Sequence, residues 1–190
     1  MRIKRDTIRL LLVYAVLILF LSQLQVTLPD SMAIMGRRPD LTLVLVILAG
    51  YLWGRGDGLA TGLAAGFLRD LFAGRALGVG MLLLMYIGLM ASITFGRRLQ
   101  RHLLFGLVQV VWLTVIYEVV ITVVALLFPV VPEIPLSAAR LFSQMSDQLS
   151  GQLLANLAAA LPLAFLLYYA GPRPRNERLS AGRDRERVRV

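Results

Sequence analysis

Long uncharged stretches alternate with short polar connections along the whole chain. Residues 10–29, 76–96 and 148–172 carry no charge, and residues 102–132 contain a single acid, Glu118. A helix needs about 20 apolar residues to cross the roughly 30 Å hydrocarbon layer of a membrane, where the backbone must satisfy its own hydrogen bonds. These stretches predict four membrane-spanning helices, at residues 9–28, 77–95, 103–128 and 149–170.

Three shorter apolar stretches lie between these helices. Residues 41–53 and 58–72 are joined by a glycine-rich connection, and at 1.5 Å per residue each is only about 20–22 Å long. They predict either two short spans or a re-entrant helical hairpin. Residues 138–149 have the spacing of an amphipathic helix that lies on the outer leaflet or faces a partner. The pattern therefore predicts an all-α membrane protein, with one bundle of about six transmembrane helices over residues 1–171.

The composition excludes the soluble classes of protein. Of the 190 residues, 58% are hydrophobic and only 16% are charged, whereas soluble domains carry about 25% charged residues. The chain has no cysteine and one histidine, which excludes disulfide scaffolds, thiolate chemistry and multi-histidine metal sites. It also lacks the short motifs of nucleotide-binding loops, zinc proteases and serine hydrolases. We therefore expect no enzyme, no cofactor and no bound metal.

The positive charges are unevenly distributed, which sets an orientation. Fifteen of the 20 lysines and arginines fall on the side of the N-terminus when the six segments are threaded through a membrane. The positive-inside rule then places both termini in the cytoplasm. The arginine-rich tail, residues 172–190, is too polar to pack and is predicted to be disordered. Its charge favours binding to anionic lipid, or to a cytosolic protein, over binding to nucleic acid.

Glycines recur every fourth residue along the third segment. Gly58, Gly62 and Gly66 form one stripe, which Asp70 continues beside Arg69. Small-residue stripes allow two membrane helices to approach closely. The stripe predicts either packing within the bundle or a face for another protein. Asp70 is expected either to bind a neighbouring loop or helix start, or to contact a partner or ligand.

Polar residues inside the last two segments form a second pattern. Thr114, Glu118 and Thr122 lie four residues apart, as do Gln152 and Asn156 on the following segment. Because polar groups in a membrane usually pair with one another, we expect the two stripes to face each other and exchange hydrogen bonds. A proton relay or a substrate site is the alternative interpretation.

Several of these motifs also carry a family resemblance. The chain resembles the bacterial rod shape-determining protein MreD over about residues 38–95. The matching positions are a proline before the second helix, a Gly-x-x-x-Gly-Phe-x-x-Asp stretch and a Leu-Gly before the fourth helix. They are Pro39, Gly62, Gly66, Phe67, Asp70 and Gly78. The resemblance implies a non-enzymatic scaffold of the cell-elongation machinery in the bacterial inner membrane. It also implies that the protein acts together with the membrane-anchored protein MreC and the filament protein MreB. The glycan polymerase and transpeptidase that build the lateral wall are further implied partners.

The resemblance suggests two functions to compare. In the first, the membrane anchor of an MreC-like partner packs on the stripe of Gly58, Gly62 and Gly66. The predicted set of partner-binding or packing residues also includes Phe67, Arg69, Asp70, Gly78 and Pro39. In the second, a similarity to the substrate-binding subunits of energy-coupling-factor transporters implies a vitamin-type pocket. Its floor would be Glu118, Gln152 and Asn156.

Overall fold

The computed structural model describes residues 5–73, 78–94, 102–127 and 137–170. Within these ranges the chain contains six α-helices, one short 3-10 turn and no strand. The helices are α1 Arg5–Thr27, α2 Leu41–Trp53, α3 Arg55–Ala73, α4 Val79–Ile93, α5 Leu103–Leu127 and α6 Ala138–Ala170. An all-helical fold with six helices is therefore confirmed. The predicted basic tail, residues 172–190, lies outside the described residues.

The second helix, α2, forms the centre of the bundle. It packs against each of the other five helices, and every residue from Leu41 to Tyr51 is buried. A helix that is hydrophobic on all faces is stable only when it is surrounded. The sequence of α2 fits this place, because it has no charged residue and its first ten residues are apolar except Thr42 and Gly50.

Helices α2 and α3 form a tight antiparallel hairpin. The single residue Gly54 joins them with a φ of 102°, a conformation that is readily open only to glycine. Next to this turn, Gly50 and Gly58 face each other closely enough that a Cβ on Gly58 would lie 2.7 Å from the Cα of Gly50. At the open end of the hairpin, Asp40 and Arg69 form an ion pair. Residues 41–53 and 58–72 therefore belong to a helical hairpin, which is compatible with two short spans and with a re-entrant hairpin.

The glycine stripe of α3 packs against the backbone of α4. A Cβ on Gly62 would lie 2.8 Å from the carbonyl carbon of Leu84, and one on Gly66 would lie 2.8 Å from the backbone nitrogen of Met81. Gly58 meets the backbone of Gly88 in the same way. The stripe is therefore covered by α4, which corrects the expectation that a partner helix docks on it. We name this contact the α3–α4 seam.

Helices α5 and α6 are longer than the rest. Residues Leu103–Leu127 and Ala138–Tyr168 are long and apolar enough to cross a membrane, whereas the apolar helices Leu41–Trp53 and Val79–Ile93 are shorter. The predicted amphipathic stretch over residues 138–149 is helical, and it is continuous with the predicted span that follows it, since both belong to α6. No glycine or proline interrupts the helix there, and so nothing in the sequence ends it.

Candidate functional site

A cluster of polar side chains lies where α1 and α3 approach their C-terminal ends and α2 begins, beside the middle of α5. We call this the polar end of the bundle. Its centre is Asp40, which is 6% exposed. The Oδ1 atom of Asp40 accepts a hydrogen bond from the backbone N–H of Leu43 at 2.9 Å, and therefore caps α2. The backbone N–H of Asp40 donates to Oδ1 of Asn156 at 2.7 Å, which ties the start of α2 to α6.

The guanidinium group of Arg69 connects α3 to this centre. Its Nη2 atom lies 2.8 Å from Oδ2 of Asp40, and its Cζ atom lies 5.1 Å from the ring centroid of Tyr117 on α5, within the range of cation–π attraction. Gln25, near the end of α1, donates to Asp40 at 3.3 Å and accepts from the backbone N–H of Thr42 at 3.0 Å. Helices α1, α2 and α3 thus meet at one carboxylate.

A chain of amides extends the cluster along α6. The Nδ2 atom of Asn156 donates to the hydroxyl of Thr114 at 3.1 Å, and Nε2 of Gln152 donates to Oδ1 of Asn156 at 3.0 Å. Arg37 donates from Nε to Oε1 of Gln152 at 3.1 Å. The polar stripes of α5 and α6 therefore meet at Thr114 and Asn156. The carboxylate of Glu118 is not part of this exchange.

A tight turn places the two arginines of the α1–α2 connection. Met35 and Gly36 have φ values of 50° and 75°, and Ile34 and Arg37 exchange both backbone hydrogen bonds, at 2.9 and 3.0 Å. Positive φ at both central residues is the signature of a type I′ turn. The turn packs against Gly151 of α6. It fixes Arg37 beside the amide chain.

These residues surround a cavity of about 360 Å³, which we name the polar cleft. Its lining residues are Gln25, Gly36, Arg37, Arg38, Asp40, Arg69, Tyr117, Glu118 and Gln152. Arg69 pairs with Asp40, and Arg38 pairs with Asp30 at 2.6 Å outside the lining. No hydrogen bond or ion pair joins the half-buried carboxylate of Glu118 to another described residue.

Asp70 stabilises the α3–α4 seam and does not line the polar cleft. Its Oδ2 atom accepts from the backbone N–H groups of Gly78 at 2.8 Å and Met81 at 3.1 Å, while Oδ1 accepts from Gly80 at 3.0 Å. The carboxylate thereby satisfies the first free N–H groups of α4 and opposes its dipole. Gly78 has a φ of 118°, and Gly80 leaves the space that the carboxylate fills. This is the helix-start role expected as one interpretation of Asp70.

The remaining predicted residues are dispersed. Phe67 is 47% exposed on the outer side of α3. Pro39 immediately precedes the cap residue Asp40. The hydroxyl of Thr122 donates to the backbone carbonyl of Glu118 in its own helix at 2.7 Å.

The sequence analysis did not select Gln25, Arg37 or Asp40 as site residues. The Pro-Asp pair directly before an apolar helix is the signal for Asp40 as a cap. Nothing in the pattern indicates that Gln25 and Arg37 join it.

Among the described residues, no group of three or more histidine, cysteine or acidic side chains could hold a metal ion. The polar cleft offers a set of hydrogen-bond donors and two carboxylates, Asp40 and Glu118, arranged around the capped start of the central helix. Such an arrangement can fix helices or bind a small charged group.

A scan of protein families matches the model of the rod shape-determining protein MreD over residues 4–169. The chain belongs to the MreD family. The match extends well beyond residues 38–95, where the motifs lie, and covers every helix of the bundle. No curated protein and no solved structure matches the chain. The implied similarity to energy-coupling-factor subunits, and with it the vitamin-type function, is not supported by these comparisons.

Proposed function

We propose that this protein is a non-enzymatic scaffold of the machinery that determines rod shape, and that it holds the membrane anchor of an MreC-like partner. The observation that carries the proposal is the MreD match over residues 4–169. The fold supports it, because the helix starts at the polar end and along the seam are fixed by Asp40 and Asp70. A rigid bundle of this kind suits a protein that presents a surface to other membrane proteins.

The proposed setting is the bacterial inner membrane, with both termini in the cytoplasm. In this placement α5 and α6 cross the membrane, and the polar end faces outward. Helices α2 and α4, with 13 and 15 residues, measure only about 20–22 Å. Around these two helices the bundle would therefore be thinner than the roughly 30 Å hydrocarbon layer of the membrane. An MreB-like filament would lie on the cytoplasmic side, and the wall-building polymerase and transpeptidase would join through the same assembly.

We propose that the partner's anchor helix packs across the outer side of the α3–α4 seam. The glycines bring the two helices together, and both helices carry exposed apolar side chains, which we group as one proposed binding face. It contains Leu63 and Phe67 of α3 and Leu82 and Tyr86 of α4, which are 40–58% exposed. This face replaces the glycine stripe itself, which α4 already covers.

Single-cysteine crosslinking tests this face without background, since the chain contains no cysteine. Phe67→Cys and Tyr86→Cys are each paired with cysteines placed along the anchor helix of the MreC-like protein encoded by the same organism. We expect a disulfide with the partner at both positions. Trp112→Cys, on the exposed side of α5, is the matched control and should give none. Crosslinks at Trp112 alone would move the partner to α5.

Depletion in the native host tests the wider function. Loss of this protein should turn rod-shaped cells round, and the MreC-like partner should co-purify with the full chain from native membranes. Rods that persist through depletion, together with a partner that never co-purifies, would contradict the scaffold function.

A further inference from the structure

The polar cleft contains two opposite charges, Arg37 and Glu118, which attract each other but form no ion pair with any described residue. Among the residues that the structure describes, Arg37 donates only its Nε hydrogen, to Gln152, and its terminal guanidinium nitrogens have no acceptor. Glu118 makes no hydrogen bond or ion pair with any residue the structure describes, although it lines the same cavity. Unpaired charges in a membrane span are costly, and they mark binding pathways more often than packing sites.

The arginine side of the cleft has a further unused donor. The Nη1 atom of Arg69 is buried and has no acceptor among the described residues. The Nη2 atom of the same guanidinium group forms the ion pair with Asp40. Arg37 is fixed by its turn and by Gln152, and Arg69 by Asp40 and the Tyr117 ring. Arg37 therefore offers donors in a fixed position, and the buried guanidinium group of Arg69 adds positive charge to the same wall of the cleft, which favours a phosphate there.

The position of the cleft in the bundle indicates where its occupant would come from. Gln25 lies two residues before the end of α1, Asp40 precedes α2, and Arg69 lies four residues before the end of α3. By contrast, α5 continues nine residues beyond Glu118, or about 14 Å. The cleft therefore lies at the C-terminal ends of α1 and α3 and at the start of α2, beside the middle of α5. In a bilayer this makes a depression at the level of the lipid headgroups, where short spans draw the surface inward.

We propose that the polar cleft binds the phosphoethanolamine headgroup of a phospholipid. The phosphate accepts hydrogen bonds from the guanidinium of Arg37, with Arg69 behind it, and the ammonium group pairs with the carboxylate of Glu118. The acyl chains extend into the surrounding bilayer. This headgroup carries one negative and one positive charge, which matches the two unpaired charges of the cleft.

The same charges argue against simpler occupants. A headgroup with phosphate alone would satisfy Arg37 and face the uncompensated carboxylate of Glu118, and a lone cation would face the arginines. A volume of about 360 Å³ lies at the small end of the range for ligand sites, which suits a headgroup. The proposal is independent of the partner-binding function.

Native mass spectrometry of the delipidated full chain tests the proposal. The protein is titrated with phosphatidylethanolamine and, separately, with phosphatidylglycerol of the same acyl chains, which lacks the amine. We expect one bound phosphatidylethanolamine, with affinity about tenfold above that of phosphatidylglycerol. Arg37→Gln should weaken both lipids, whereas Glu118→Gln should weaken only phosphatidylethanolamine and thus remove the preference. Arg140→Gln and Asp147→Asn, both on the exposed start of α6, are charge-matched controls and should change neither lipid.

Two outcomes would overturn the proposal. Equal binding of the two lipids by the parent protein would remove the role of the amine, and an undiminished preference in Glu118→Gln would place the site elsewhere. Glycerophosphoethanolamine, which has the headgroup without acyl chains, distinguishes the sources. Competition as strong as that of the intact lipid would assign the cleft to a soluble ligand instead. Thermal unfolding of each variant without added lipid shows that it is folded.

Discussion

The α3–α4 seam and the polar cleft handle buried polar groups in opposite ways. In the seam, the carboxylate of Asp70 receives three backbone N–H groups, and the glycines leave no space between the helices. In the cleft, the carboxylate of Glu118 has no partner among the described residues, and a cavity separates the helices. Both carboxylates are near the same end of the same bundle.

The difference shows which polar residues hold the fold and which are available for binding. A satisfied buried group is expensive to alter, because its partners lose their hydrogen bonds when it is changed. A group with no partner contributes little to folding, and its alteration affects the ligand it would bind. Stability measurements on matched variants can therefore separate the two regions.

The largest effect is expected at the centre of the seam. Gly62→Leu places a side chain against the backbone of Leu84 and Met85, which cannot move without separating α3 from α4. We expect a loss of about 4 kcal/mol or more in unfolding free energy, at the upper end of overpacking effects. Thermal unfolding in detergent measures it. Gly56→Leu in the same helix, where a side chain meets nothing, is the control, and an equal loss there would contradict the argument.

A smaller loss is expected from the cap of α4. Asp70→Ala leaves the N–H groups of Gly78, Gly80 and Met81 without their acceptor, and should cost about 2–3 kcal/mol, since hydrogen bonds to charged groups are among the strong ones. Asp70→Asn keeps one acceptor oxygen and should lose about half as much. The readout is the unfolding midpoint in detergent. Asp147→Ala on the exposed part of α6 should not shift it. An unaltered Asp70→Ala protein would show that the cap is unimportant.

The amide chain should give an intermediate result. Thr114→Val removes the acceptor of one Asn156 hydrogen while keeping the shape of the side chain, and should cost about 1–2 kcal/mol. Thr122→Val is the matched control, because the hydroxyl of Thr122 bonds only within its own helix. If the two variants unfold alike, the contact between α5 and α6 does not depend on this hydrogen bond.

The smallest effect is expected in the cleft. Glu118→Gln removes a half-buried charge without removing a hydrogen bond, so in lipid-free detergent the unfolding free energy should equal that of the parent or be slightly higher. Asp70→Asn is the same chemical change in the seam and provides the direct comparison. Equal losses in the two variants would mean that Glu118 is bonded as Asp70 is, and the distinction between seam and cleft would fail.

Some site residues could be read from the chain, and others could not. The four-residue spacing of Gly58, Gly62 and Gly66 indicates a close helix contact, and Asp70 continues the stripe, because both follow from the 3.6-residue repeat of one helix. Whether that contact lies within the bundle or with a partner depends on the position of α4. The spacing of α3 carries no information about it, and so the partner interpretation was wrong.

An all-helical fold, with six helices in the described part of the chain, follows from the sequence, since apolar length and the self-satisfied backbone of a helix are local properties. The packing of the helices alone determines that Asp40, Arg69, Gln25 and Asn156 meet at one point. They are separated by up to 131 residues of chain, from Gln25 to Asn156, and no periodicity links positions on different helices. It also decided that Asp70 is saturated and Glu118 is not, because each depends on which backbone groups the packing brings within hydrogen-bond distance.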